Sequence, residues 1–312
     1  MWSLLVQVTS FLWGTPLLVL MIGVGLYLTI RSGFFQVLGI RTWFAQTLGQ
    51  VFHRKSDSDA TDSKDGQLKP FQALSTVLAG TVGSGNIAGV ASAIAIGGPG
   101  AVFWMWLISI VGMMTKMAEV TLAVAFRKKS DSGEYYGGPM YYMRDGLGKV
   151  GGVLAGIYAV ALFVEVMADA CFVQTNTLAV CVNDVFKVPL LITGLVVVGV
   201  SLAVILSGGV QKIGDFCGKM VPPMILVYIV GCLVVIVLNA KDLPASLAMI
   251  VHYAFAPAPA LGGFAGASIS LAMARGAARG IFSNEAGMGS TPHAHALANV
   301  KNPHQQGVVA MI

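Results

Sequence analysis

Charge is scarce in this chain. Asp, Glu, Lys and Arg make up 11% of its 312 residues, against 56% hydrophobic residues. A soluble globular domain carries about 25% charged residues as part of its polar coat, so the balance argues against a water-soluble fold. Cysteine is scarce too: Cys171, Cys181, Cys217 and Cys232 stand scattered in apolar segments without C-x-x-C spacing. That excludes a disulfide framework or a zinc set and predicts buried packing residues. Acidic residues are missing altogether between Pro70 and Glu119. No nucleophile–base constellation and no Walker P-loop is present, so neither an enzyme nor an ATP-driven pump is expected. The net charge of +5 comes from loops between apolar runs and gives no reason to expect nucleic acid.

Long apolar runs are what the sequence has instead, with a mean hydropathy of +0.77. Runs near 20 residues match the hydrocarbon thickness of a bilayer. They fall at Leu4–Ile30, Phe71–Gly97, Ala101–Phe126, Val150–Val182, Leu190–Leu206 and Met220–Asn239, with an interrupted seventh at Gly262–Leu297. The final residues, GVVAMI, read as the opening of another. The first run lacks a basic leader and is too long for a signal-peptide core, so it reads as a retained span. Residues 31–54 mix aromatics with Arg31, Arg41 and Arg54, as an interfacial helix does, and 56–65 read as a polar linker. Loops 31–70, 127–149 and 207–219 hold thirteen Lys and Arg, while the opposite connections hold only Lys187 and Lys241. This bias predicts those three loops on the cytoplasmic side of the inner membrane and the N-terminus outside.

Residues 79–95 read AGTVGSGNIAGVASAIA. Gly83-Ser84-Gly85-Asn86-Ile87-Ala88 fits a dinucleotide fingerprint, but such a loop must follow a strand and meet an acidic residue about 20 positions later. Neither condition holds. Gly80, Gly83, Ser84, Gly85 and Asn86 instead weaken a membrane helix in mid-span. Unwound backbone at that depth is tolerated where it is buried in protein or lines a cavity. Its freed N–H groups attract a carboxylate and its freed carbonyls, at Gly80, Thr81 and Val82, a small cation such as Na+. Close packing through small residues is the plainer use of the same glycines. A second segment tips the balance: Asn284-Glu-Ala-Gly-Met-Gly-Ser290 repeats the Asn, Ala, Gly and Ser of Asn86-Ile-Ala-Gly-Val-Ala-Ser92 at the same offsets. The two spans run in opposite directions, and paired broken helices in inverted halves point to a transporter's binding site.

AGTVGSGNIAGVASAIAIGGPGAVFWMWL (79–107), GGPMYYMRDGLG (137–148) and RGIFSNEAGMGS (279–290) resemble the alanine or glycine:cation symporter family, within the amino acid–polyamine–organocation transporters. The resemblance implies an all-α membrane protein with a LeuT-like five-plus-five inverted-repeat fold. It also implies uptake of small neutral amino acids (alanine, glycine or serine) with sodium, or protons in some members, and no other cofactor. On that fold, 1–70 is an N-terminal helix, interfacial helix and loop; 71–240 is the first repeat; 241–312 is an outer connection and the start of the second repeat. Two full repeats need roughly 430 residues, so only the first repeat and the opening of the second are expected. An inactive remnant, or a channel or sensor on the same scaffold, are the rival readings.

Substrate contacts are expected from Gly83, Ser84, Gly85 and Asn86 at the first break and from Phe282, Ser283 and Asn284 at the second. Glu165 and Asp169, four apart in one span, are expected on one helix face. Asp169 either meets the substrate ammonium or bonds a neighbouring helix, with Gln174 a further polar contact. Glu285 is expected to support the second break, by accepting from freed N–H groups or by pairing with Arg279. Arg275 and Arg279 otherwise snorkel outward. Lys116 and Glu119 read as an ion pair. His293, His295 and His304 do not space as a metal set. Phe103, Trp104 and Trp106 suit an outer aromatic belt, and Tyr135, Tyr136, Tyr141 and Tyr142 an inner one.

Overall fold

The computed structural model describes residue 7 and residues 15–52, 68–131, 133–259 and 266–311. The start of the first predicted span, the 56–65 linker and residues 262–265 of the seventh lie outside the described residues, as do the side chains of Ser84, Asp169 and Cys171. The chain is mostly helical, with several apolar helices.

In order, the elements are α1 (Thr15–Arg31), α2 (Phe35–Leu38), α3 (Ile40–Phe52), α4 (Pro70–Thr81), α5 (Ser84–Gly97) and α6 (Gly100–Ala125). A two-stranded hairpin follows, β1 (Lys128–Lys129) against β2 (Tyr135–Tyr136), with Lys128 opposite Tyr136. Then come α7 (Pro139–Gly146), α8 (Gly148–Glu165), a π-helical turn (Val166–Val173), α9 (Gln174–Phe186) and α10 (Leu190–Leu206). The last are α11 (Gly209–Leu238), α12 (Leu243–Phe255), α13 (Ile269–Asn284), α14 (Pro292–Ala296) and α15 (Pro303–Val309). Among the described residues, three helices are long and apolar enough to cross a membrane, or four if α4 and α5 count as one interrupted span.

Several boundaries correct the sequence reading. The 207–219 loop is helical from Gly209, because Gly214, Cys217 and Val221 recur at three- and four-residue spacing and are buried, while Lys212 and Lys219 stay exposed. That face is amphipathic rather than uniformly apolar, so hydropathy alone misses it. The same helix carries Pro222 and Pro223 in its interior and is largely exposed beyond them, with Val227 at 73% and Leu238 at 77%. The connection after Asn239 contains α12, which opens with Asp242 at the cap and Pro244 in its first turn, where proline's missing N–H costs nothing. The run Val150–Val182 is one α-helix only to Glu165, and its π turn breaks the α-helical i, i+4 register assumed for Glu165 and Asp169. Cys181 and Cys232 are exposed, not buried, and both are free thiols; Cys217 is buried as expected.

The described residues gather into two compact units, within Met1–Arg41, Gly85–Lys116 and Ile225–Met288, and within Thr42–Ser84, Met117–Met224 and Gly289–Ile312. In the first, Leu18 of α1, Ile108 of α6 and Ala277 and Ile281 of α13 form the core. Glycines let these helices close up: a Cβ on Gly276 would strike the Ala101 carbonyl, and one on Gly280 would strike Ile108. This is how membrane helices pack without a hydrophobic drive between them. Phe103 and Trp104 meet Phe255 edge-on, and the Trp104 indole donates to the Ala254 carbonyl at 3.2 Å. Two of the predicted belt aromatics therefore hold α12, while Trp106 remains exposed.

In the second unit, Leu68 bridges to the segment after α14, its N–H donating to Leu297 and its carbonyl accepting from Asn299. Arg127 donates to the Ala296 and Ala298 carbonyls at 3.1 and 2.6 Å and lies over the Tyr135 ring. Burial pulls its guanidinium below the ordinary arginine value, and Tyr135 opposes that shift. Across the hairpin, Lys128 meets Asp145 at 2.9 Å. Hydrogen bonds from Lys128 and then Arg144 hold the Asp145 carboxyl below its usual value.

Candidate functional site

The first interruption sits slightly before the expected one. The helix α4 ends at Thr81, and Val82 leaves helical space with φ −86° and ψ 76°. Gly83 follows it, and Ser84–Asn86 already form the first turn of α5. The break is therefore Val82–Gly83 rather than 83–86. Small residues weaken a helix over several positions, but once the chain turns, the next residues regain helical bonds from their C-terminal neighbours. First-turn N–H groups have no partner within their own helix, and Ser84–Asn86 occupy that turn in α5. Gly80 and Thr81 stay within α4, where the Thr81 hydroxyl bonds back to Val77.

Within the second unit, Gly83 and Gln174 come together. A Cβ on Gly83 would lie 2.9 Å from Gln174 Oε1, so the glycine makes room for that carboxamide. Gln174 opens α9 immediately after the π turn. Wide turns of this kind are common at functional sites. Glu165 closes α8 just before the turn.

Within the first unit, the start of the first motif copy meets the residue just before the second. Ser283 Oγ donates to Asn86 Oδ1 at 2.8 Å across 197 residues of sequence. Phe282 lies beside them under the Arg279 guanidinium, 5.4 Å from its ring centroid. Arg279 also packs against α5, where a Cβ on Gly89 would come within 3.0 Å of its Nη1. The helix α13 ends at Asn284, and Glu285 caps it in the left-handed region at φ 52°. Its N–H donates to the Ile281 carbonyl at 2.8 Å. The Asn284 side chain is itself part of the break: its Oδ1 accepts from the Ala286 N–H at 2.9 Å, an Asx turn. Gly112 gives its amide room, since a Cβ there would approach Nδ2 to 3.0 Å. Met21, Ile108, Thr115, Ala286 and these two residues line a small cleft.

The helix does not resume until α14 at Pro292, so the second span is interrupted more widely than expected. His293 of α14 is fastened twice, by the Gly137 carbonyl at 2.9 Å and by the Tyr158 hydroxyl at 3.3 Å. His295 meets Gln306 at 2.7 Å and is fully buried. One glycine from each of two quoted stretches makes room here. Gly138 has φ 139° and faces His293, and Gly289 has φ 81° and faces Pro139 and Tyr158. Neither the histidine ties nor the role of Lys116, whose Nζ donates to the Asn284 carbonyl at 2.9 Å, was read from the sequence. A lysine within a membrane-length run is a candidate by default, and its spacing to Glu119 pointed to an ion pair instead.

Helical content and apolar spans make this a membrane protein. Residues 1–312 match the profile described as the sodium:alanine symporter family, and the chain belongs to that family. It is 42% identical over 310 residues to an uncharacterized transporter of Haemophilus influenzae, covering 99% of this chain and 65% of that protein. It is 42% identical over 312 residues to the sodium/alanine symporter AgcS of Methanococcus maripaludis, covering 99% and 66%. It is 38% identical over 300 residues to the probable sodium/glutamine symporter GlnT of Bacillus subtilis, covering 96% and 59%. The chain thus spans between 59% and 66% of the length of these relatives.

Proposed function

We propose that the protein serves cation-coupled symport of small neutral amino acids, with alanine, glycine or serine as cargo and Na+ or H+ as driving ion. The observation that carries this reading is the Ser283–Asn86 hydrogen bond, which joins the last turn of α13 to the first turn of α5, the helices that border the two interruptions. Family membership supports it, as does the pairing of sodium with alanine and with glutamine in the relatives' names. The fold would be LeuT-like: residues 1–70 an N-terminal extension, 71–240 a first five-helix repeat, and 241–312 the start of a second. First-turn N–H groups at Ser84–Asn86 receive the substrate carboxylate, with Gly83 and Gln174 beside it. Asn86, Phe282, Ser283 and Asn284 supply polar and aromatic walls, and Asp169 the ammonium partner. The carbonyl end of α4, Gly80 to Val82, receives the cation. Arg279, Glu285 and Glu165 support the arrangement.

Cargo and cation together would stabilise an occluded state that neither stabilises well alone, because each satisfies one set of helix-end dipoles. Alternating access follows by rocking of one bundle past another. The protein would sit in the inner membrane with 31–70 and 127–149 on the cytoplasmic side. The test is counterflow in proteoliposomes, in which labelled alanine enters against internal unlabelled alanine and accumulates under an inward sodium or proton gradient. Alanine binding without exchange would make the protein a sensor and end the carrier reading. Asn284→Ala and Asp169→Ala should each abolish uptake with insertion intact, and wild-type uptake in both would remove them from the site.

A further inference from the structure

Lys116 is 6% exposed, in a span with few charges, and an ammonium at that depth is costly without a partner. Its Nζ lies 2.9 Å from the carbonyl of Asn284, the last residue of α13. A helix end of this kind carries a partial negative charge of about half an elementary unit. In discontinuous membrane helices, such carbonyl ends are where transported cations are held. Here the position is taken by a cation that belongs to the chain. The Asn284 side chain is engaged by the Ala286 N–H at 2.9 Å, so the ammonium meets the backbone carbonyl and not the carboxamide oxygen.

We propose that Lys116 is a built-in cation occupying the carbonyl end of α13, so that this end of the second break takes no transported ion. Coupling ions are then confined to other positions, the first break foremost. That second step rests on the carrier reading; the first does not.

The test is thermal unfolding and radiolabelled Na+ binding of the full chain in detergent, in sodium chloride against choline chloride. Lys116→Gln keeps a donor near the carbonyl and drops the charge. It should melt several degrees below the wild type in choline and recover most of that shift in sodium, with about one additional Na+ bound per chain. Lys116→Arg keeps the charge and should show neither effect. Glu119 lies three residues further along α6, and a carboxylate there could attract sodium by itself. The same recovery in the Lys116→Gln, Glu119→Gln double variant assigns the ion to the carbonyl end. Lys116→Gln behaving alike in both salts, folded or unfolded, overturns the proposal, as does loss of the sodium effect when Glu119 is replaced. Neither readout involves alanine, so a failure of counterflow and a failure here are separate results.

Discussion

After Thr81 the helix is interrupted for two residues and resumes at Ser84; after Asn284 it does not resume until Pro292. The shared Asn, Ala, Gly and Ser pattern begins at Asn86, in the first turn of the resumed helix, in one case and at Asn284, the last helical residue, in the other. The first break is a local affair, with Val82 out of helical space and Gly83 pressed against the Gln174 carboxamide. At the second, Lys116 binds the last carbonyl and the Asn284 side chain closes its own turn within the first unit, while within the second unit His293 is bound to Gly137. Small residues yield to a single bend at one place and to a long interruption at the other, and the side chains that reach each place differ.

The largest effect is expected where the wide break is anchored. Gly138 combines φ 139° with a His293 ring that leaves no room for a Cβ, so Gly138→Ala should destabilise by about 3 kcal/mol through strain and overpacking. Unfolding in detergent measures this, and a loss well below that size would mean the anchor is slack. At the narrow break, Gly83→Leu must displace Gln174, and should cost about 2 kcal/mol, or roughly thirtyfold in alanine affinity. Unchanged affinity in a scintillation assay would detach the first break from the substrate. Smaller still is the link between α13 and α5. Removing Ser283 and Asn86 singly and together to Ala should yield a coupling of about 1 kcal/mol in a double-mutant cycle of unfolding. Additive losses would show that the bond joins nothing. The mildest perturbation leaves both breaks alone. Asp145 titrates below its ordinary value because of Lys128 and Arg144. A depressed carboxylate contributes stability that is present above its unfolded value and is lost as pH falls through the folded one. Asp145→Asn should flatten that acid-side dependence slightly, without changing alanine binding at neutral pH.

Sequence reading located α6 and α10 to within a residue, because long apolar runs bounded by Gly, Pro or charge have few other ways to end. It found both breaks for a related reason: glycine and small polar residues in mid-span are expensive unless used. It failed where the signal was not local. The winding of Val166–Val173 depends on neighbours and has no spacing of its own. The helical start at Gly209 hid beneath Gln211, Lys212 and Asp215, whose polarity lowers mean hydropathy while the buried face keeps its period. The Asn284 turn spans only two residues, whereas the Lys116 tie depends on an approach across 168.

The exposed second half of α11 has a thermodynamic corollary. Unfolding of water-soluble proteins raises heat capacity because apolar groups become hydrated, and this bends stability downward in the cold as well as in the heat. In a bilayer, Val227, Val237 and Leu238 of α11 would trade one oily neighbour for another when helices separate, and no such hydration occurs. Stability resting on glycine contacts and on ties such as Lys116 to Asn284 should decline almost linearly with warming, and refrigeration should not loosen it.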